Sequence, residues 1–337
     1  ITLLLLTLAV ACGSSQPAND SGSPATGTGA SGESSSSGTG TYAPTTMNWL
    51  IPYSPGGGTD VLARSISQVM NSEGISDATF TFEYKPGGSG AVGLAYLIEE
   101  LKGNDYTLFP VVTSVLTSKI KGDVPYSHRD LTLLARLGLD PNAILVSKSS
   151  PFQTIQDLVE EGRKREILVG GTGVGGSGDI VANLLVKTTG ISYRLVPFES
   201  GGELTTAMLG NQVDFIVNSP NESWEQIVAG EIRALAVTTE ERLPDLPDVP
   251  TLRENGWDVV YYTFRGVGMP PGVSDQARTY WEEKFRALAE SEAWQREYLA
   301  KYQIIPAYMP GDEFAKYLDE AYSFYEQQLQ DLGLVKP

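Results

Sequence analysis

The chain has 337 residues, 41% hydrophobic and 19% charged, so it can bury a core and is not a charge-rich disordered chain. Asp plus Glu total 41 against 24 Lys plus Arg, and the formal net charge of -17 excludes roles that need a broad positive field, nucleic-acid binding first among them. With one histidine, His128, and one cysteine, Cys12, the chain lacks the residues for His-rich zinc sites, Cys-x-x-Cys redox pairs and disulfide frameworks.

The first segment, Ile1-Thr-Leu-Leu-Leu-Leu-Thr-Leu-Ala-Val-Ala11, is an apolar run shorter than the roughly 18 residues of a membrane span. It reads as the remnant of a signal peptide whose basic start is expected before Ile1. Leu8-Ala-Val-Ala-Cys12 resembles the bacterial lipobox, which makes Cys12 the expected lipidation site. Residues 12–46 then read as a flexible tether, because Gly13 to Thr46 is almost all Ser, Gly, Thr, Ala and Pro. Such a tether lets a folded body stand off a membrane, so an extracytoplasmic, lipid-anchored protein is expected.

From Met47 short apolar runs alternate with helical periodicity, the pattern of repeated β-α units, which predicts an α/β class with mostly parallel sheets. Asn48 to Pro52 reads as a strand, and the turn Tyr53-Ser-Pro-Gly-Gly-Gly-Thr-Asp60 leads into a helix carrying Val61, Leu62, Ile66, Val69 and Met70, capped by Thr59 or Asp60. Thr79 to Tyr84 alternates as a strand, Pro86-Gly-Gly-Ser-Gly-Ala-Val-Gly93 opens a helix, and Tyr106 to Val112 is a buried strand ending at Thr113 and Ser114. His128, in the polar stretch Val124-Pro-Tyr-Ser-His-Arg-Asp-Leu131, is expected at the surface. A second series begins with Ala143 to Val146 and continues with the amphipathic segment Phe152 to Arg165, the strand Ile167 to Val169, the glycine-rich turn Gly170 to Gly178 and a helix from Ile180 to Thr188. Strands at Tyr193 to Val196, Val213 to Val217 and Ile232 to Val237 follow, with a helix from Glu203 after the first of them. Asp275 to Gln330 reads as helical, with an aromatic stripe from Trp281 to Tyr325 in the core.

Backbone N–H groups at a strand-to-helix turn carry the positive end of the helix dipole and attract anions; glycine permits close approach, and Ser, Thr or Tyr adds a donor. Gly56-Gly-Gly-Thr-Asp60 has these features. Gly171-Thr-Gly-Val-Gly-Gly176 matches the G-x-G-x-x-G dinucleotide fingerprint, with Glu199 placed where a ribose-binding acid could sit. Glycine abundance and the extracytoplasmic setting weigh against a dinucleotide enzyme. No Gly-Lys-Thr/Ser follows a glycine turn, and Ala91 and Asp179 break the Gly-x-Ser-x-Gly pattern at Ser89 and Ser177. Asp60, Asp179 and Asp214 read as caps or surface residues, simpler roles than paired acids or metal ligands. No catalysis, metal or cofactor is expected.

Six motifs in register carry a wider resemblance. They are Leu50-Ile-Pro-Tyr-Ser-Pro-Gly-Gly-Gly-Thr-Asp-Val-Leu-Ala-Arg64, Lys85-Pro-Gly-Gly-Ser-Gly-Ala-Val-Gly93, Leu195-Val-Pro-Phe-Glu-Ser-Gly-Gly-Glu203, Leu209-Gly-Asn-Gln-Val-Asp214, Ala229-Gly-Glu-Ile-Arg-Ala-Leu-Ala-Val-Thr238 and Leu246-Pro-Asp-Val-Pro-Thr251. Over nearly all of Met47 to Pro337 the sequence resembles the extracytoplasmic substrate receptors of tripartite tricarboxylate transporters, the Bug or TctC-like solute-binding proteins.

The resemblance implies a bilobal periplasmic-binding-protein fold with two hinge crossings, near Leu145 and Thr263. Lobe 1 would be residues 47–145 plus 264–337, and lobe 2 residues 146–263. It implies capture of a small organic acid between the lobes, delivery to separate membrane permease subunits, and a monomeric body. A receptor of the same fold serving a membrane sensor is the alternative. Carried onto this chain, the implied ligand-binding residues are Tyr53, Ser54, Gly57, Gly58, Thr59 and Asp60 in the first turn, with Thr113 and Ser114 at the next strand end. Lobe 2 would contribute Thr172, Gly173, Ser177, Gly178, Phe198, Gly201 and Asn218. The first turn reads Tyr-Ser-Pro where many relatives have Phe-Ala-Pro, which adds two hydroxyls. Arg265 falls at the return hinge and is expected to anchor it to an acidic neighbour, with a second ligand carboxylate as the other possible partner.

Overall fold

The computed structural model describes residues 42–198 and 201–335. The signal-peptide remnant, Cys12, nearly all of the tether and Glu199 lie outside the described residues. Tyr42 already belongs to the folded body: its ring meets Tyr280 edge-on at 5.3 Å, and its hydroxyl accepts the indole N–H of Trp281 at 3.1 Å.

The first lobe opens with β1 (Thr46–Ile51), whose pleat sends Met47, Trp49 and Ile51 to one face and Leu50 to the other. Helix α1 (Gly58–Ser72) covers the first face with Leu62, Ala63, Ile66, Val69 and Met70. After β2 (Thr79–Tyr84), α2 (Ala91–Glu99) covers the second with Leu94 and Leu97. Next come β3 (Thr107–Val111), α3 (Ser114–Ile120) and β4 (Thr132–Pro141).

The second lobe runs from β5 (Ala143–Ser147) through α4 (Ile155–Gly162), β6 (Glu166–Thr172), α5 (Ser177–Thr189) and β7 (Ser192–Phe198). It continues with α6 (Gly201–Leu209), β8 (Phe215–Asn218), α7 (Trp224–Val228) and β9 (Ile232–Val237). The chain then returns to the first lobe as β10 (Tyr262–Met269), α8 (Asp275–Glu290), the single turn α9 (Glu292–Trp294), β11 (Ile305–Pro310) and α10 (Gly311–Asp331). Among the described residues no helix is long and apolar enough to cross a membrane.

The six-stranded sheet has the order β11-β4-β10-β3-β1-β2, and the five-stranded sheet the order β7-β6-β8-β5-β9. Both are mixed, against the expectation of mostly parallel sheets. β1 runs parallel to β2 and β3, and β6 parallel to β7 and β8, whereas β4, β5 and β10 pair antiparallel with their neighbours. The antiparallel strands β4, β5 and β10 flank the two crossings between the sheets.

The first crossing is at Asn142, three residues before the expected Leu145, and the second joins Tyr261 to β10 just ahead of Thr263. They are tied together: Thr238 Oγ1 lies 3.0 Å from the Asn142 carbonyl and 2.7 Å from the Tyr261 carbonyl, and Asn142 Nδ2 donates to Thr263 Oγ1 at 3.3 Å.

Two other expectations give way. The region from Asp275 to Gln330 is not continuously helical, because β11 interrupts it and pairs with β4. Its prolines, Pro306 and Pro310, cannot donate to a ladder and suit an edge strand. His128 is buried at 1% exposure rather than at the surface; Nε2 meets Asp319 Oδ1 at 3.1 Å on α10, and burial lowers its pKa despite that neighbour. The aromatic stripe does lie in the core at Trp281, Phe285, Tyr298 and Tyr325.

Where α2 crosses the end of β1, a Cβ on Gly93 would stand 2.7 Å from Pro52 Cβ and 2.8 Å from Pro52 Cα. The second is backbone and cannot rotate away. Gly93→Ala is therefore expected to cost about 1–3 kcal/mol, the usual penalty of overpacking, read as a lowered urea midpoint at unchanged slope.

Candidate functional site

A cleft of about 690 Å³ opens between the two lobes, walled by turns at the carboxyl ends of strands from both sheets. On the lobe 1 side, α1 starts at Gly58 with Gly57 as an extended N-cap that has no side-chain cap bond, so Thr59 and Asp60 lie in the first helical turn and neither is its cap. Thr59 Oγ1 is buried with no hydrogen-bond partner among the described residues, although Thr59 lines the cleft. Tyr53 donates its hydroxyl to the Ser89 carbonyl at 3.0 Å. Burial pushes the Tyr53 pKa up, outweighing Ser114 and Arg265, which keeps the phenol a neutral donor. Ser89 itself sits at φ 53 in a turn whose Gly87, Gly88 and Gly90 also have positive φ, a run that glycine makes accessible.

On the lobe 2 side, Thr172 ends β6 and Ser177 begins α5, with Gly173 (φ 73) and Gly175 (φ 76) shaping the turn between them. The two walls touch here. A Cβ on Gly173 would stand 2.6 Å from Ser89 Oγ, and Lys121 Nζ of lobe 1 donates to the Val174 carbonyl at 3.3 Å. α10 also reaches across, since Asn183 and Lys187 of α5 donate to Gln328 at 3.2 and 3.1 Å.

All of the site residues expected from the sequence except Asp60 and Gly178 line this one cleft. Asp60 turns away, accepting Gly56 N–H at 2.8 Å, Arg64 Nε at 2.9 Å and the Tyr84 hydroxyl at 2.8 Å. Gly178 backs onto β6, where a Cβ would stand 2.7 Å from Gly171 Cα; its role is close helix-to-strand packing. Asp179 orders its own turn by accepting Gly175 N–H at 2.9 Å and the Tyr193 hydroxyl at 2.6 Å. Asp214 is bound by Arg165 at 2.9 and 2.7 Å and by Leu168 N–H at 2.8 Å, outside the cleft lining. Among the described residues no three His, Cys, Asp or Glu groups are placed to hold a metal ion.

Of the charged residues that line the cleft, Lys121, Asp140 and Glu222 escaped the sequence reading, and Arg265 did not. Arg265 of β10 is ion-paired with Asp140 of β4, the anchoring role expected for it, and both are buried while lining the cleft. Burial opposes the Arg265 charge, but Asp140 beside it prevails and holds its pKa above the ordinary value. From lobe 2, Ser219 donates to Asp140, and Asn221 Nδ2 reaches Ser219 Oγ at 2.7 Å, so one carboxylate gathers both lobes at the hinge. Glu222, next in chain, also lines the cleft; loss of hydration raises its pKa, against the opposing pull of Arg265. The only local signal was position: Asn218-Ser-Pro-Asn-Glu222 follows a strand end.

Comparisons with known proteins agree with this architecture. The family model described as "Tripartite tricarboxylate transporter family receptor" matches residues 63–334. A UPF0065 protein of Cupriavidus necator is 26% identical over 294 residues, 85% of this chain and 87% of its own length. Among solved structures, periplasmic binding protein BugD superposes with a TM-score of 0.78 at 22% identity, covering 88% of this chain and 100% of that one. A Rhodopseudomonas palustris protein solved with adipate superposes at 0.80 and 23% identity, covering 87% and 99%. With its family model spanning both lobes and the hinge, the chain belongs to the tripartite tricarboxylate transporter receptor family.

Proposed function

We propose that the protein is an extracytoplasmic receptor, lipid-anchored through Cys12, that captures a small organic carboxylate in the cleft and presents it to the membrane subunits of a tripartite tricarboxylate transporter. The observation that carries this reading is the pair of opposed turns. Each begins a helix with an extended glycine N-cap, Gly57 for α1 and Gly176 for α5, so unpaired backbone N–H groups and two positive helix ends converge on one space. Thr59, Ser114, Thr172 and Ser177 add hydroxyl donors. Solved relatives of the same fold hold adipate and malate, both small dicarboxylates.

Such a cleft needs no broad positive field. Charges more than about 8 Å away are largely screened at physiological salt, so local amides and hydroxyls outweigh the net charge of -17. Closure then derives its free energy from contacts that one ligand makes with both walls.

A thermal-shift screen of the protein against mono-, di- and tricarboxylates, aromatic acids, amino acids and nicotinamide nucleotides tests the reading. Binding to the native state at a hundredfold excess over Kd adds about 2.7 kcal/mol, a rise of several degrees. A rise with one class of acid is the expected result. Silence from every acid with a rise for a nucleotide would overturn it in favour of the Gly171 fingerprint.

A further inference from the structure

We propose that Glu222 selects among carboxylates by favouring a ligand that carries an ammonium group in addition to its carboxylate, an amino-acid-like zwitterion. This rests on the receptor reading above and names the ligand class for the same cleft. Among the described residues the charged side chains lining the cleft are Lys121, Asp140, Glu222 and Arg265. Arg265 is paired with Asp140, and Lys121 Nζ meets Asp123 at 3.1 Å. Glu222 alone of the four has no ion-pair partner among the described residues. The only hydrogen bond its carboxylate makes among them is a long one, from Asn218 Nδ2 at 3.4 Å. The carboxylate lies over the start of α6, where a Cβ on Gly201 would stand 1.6 Å from Oε2, so it forms part of the lobe 2 wall.

The cleft therefore offers two kinds of group. Thr59 Oγ1, buried and unpaired among the described residues, and the turn amides supply donors for a carboxylate; Glu222 supplies an acceptor with no ion-paired cation, because Arg265, near enough to act on it, is engaged by Asp140. As the lobes close and water leaves, an unpaired carboxylate becomes costly, and a ligand ammonium beside it removes that cost. A second ligand carboxylate there would meet Glu222 as a like charge, offset only in part by Arg265, which Asp140 already engages.

Isothermal titration of the full chain with matched acids, succinate against aspartate, glutarate against glutamate and butyrate against 4-aminobutyrate, reads this directly. The amino-bearing member is expected to bind at least about tenfold tighter in the pair that fits the cleft, a difference of about 1.4 kcal/mol. In Glu222→Gln the preference should vanish while the plain acid binds as well as before or better, at an unchanged melting temperature. Plain acids that bind the native protein as tightly as their amino counterparts would overturn the inference and leave the receptor reading intact, whether or not the variant folds. An equal loss for both members in the variant would do the same. Failure of every acid to bind would overturn the receptor reading itself, and the inference with it.

Discussion

Replacing Arg265 with methionine is expected to destabilise the folded protein by about 3–5 kcal/mol, the cost of breaking a buried ion pair by removing one partner. Asp140 is 1% exposed and Arg265 8% exposed, so the orphaned carboxylate would have no ready access to water. Ser219 and Asn221 still reach Asp140, which places the expected loss at the lower end of that range, near about 3 kcal/mol. The double variant Arg265→Met with Asp140→Asn removes both charges and should recover most of the stability. Urea unfolding followed by tryptophan fluorescence measures all three proteins. A loss below about 1 kcal/mol in the single variant would mean that cleft water solvates the pair as it would a surface bridge.

The second large effect is on binding. Thr59→Val combined with Thr172→Val is expected to weaken ligand affinity on the order of a hundredfold or more, because each hydroxyl lost to a charged ligand is worth about 1.5–3 kcal/mol. Thr59 is 4% exposed and its Oγ1 has no hydrogen-bond partner among the described residues, so the hydroxyl is free to donate to a ligand in the cleft. Valine keeps the shape and removes the polar group. Thr59→Val should thus leave the ligand-free protein as stable as before or more so, while its affinity falls. Opposite signs separate a lost contact from a misfolded body. The two residues stand on different lobes, so calorimetry of the single and double variants should show additive losses, or smaller than additive ones if closure needs both walls, because either single variant then already forfeits closure. Unchanged affinity in the double variant would remove the opposed-turn site from the proposal.

Much of the first lobe was legible because its signals are local. β1 and β3 announce themselves by apolar runs, β2 by alternation, and the turns after β1 and β6 by glycines whose backbone no other residue tolerates as easily. β4 and β10 carried no such mark. β10 holds Gly266 and Gly268 where β-branched residues would be expected, and both fit because neighbours crowd them: a Cβ on Gly266 would stand 2.4 Å from the Phe314 ring. β11 was hidden by its prolines and by the helices on either side. His128 read as a surface residue because it sits in a polar, turn-like stretch; α10, arriving from nearly 200 residues later, is what buries it.

The sequence by itself determined the α/β class, the family, and the two glycine turns with their hydroxyls, since each depends on residues close together along the chain. Tertiary structure alone decided which acid Arg265 pairs with and which charge of the cleft is left without an ion pair. Asp140 and Arg265 stand 125 residues apart, and they meet only because the chain crosses between the sheets twice at neighbouring positions. Glu222 likewise has no ion-pair partner among the described residues because the fold commits Lys121 to Asp123 and Arg265 to Asp140. Backbone turns are written in short-range conformational preference, whereas pairing and burial of charge depend on which distant segments the closed topology brings into contact.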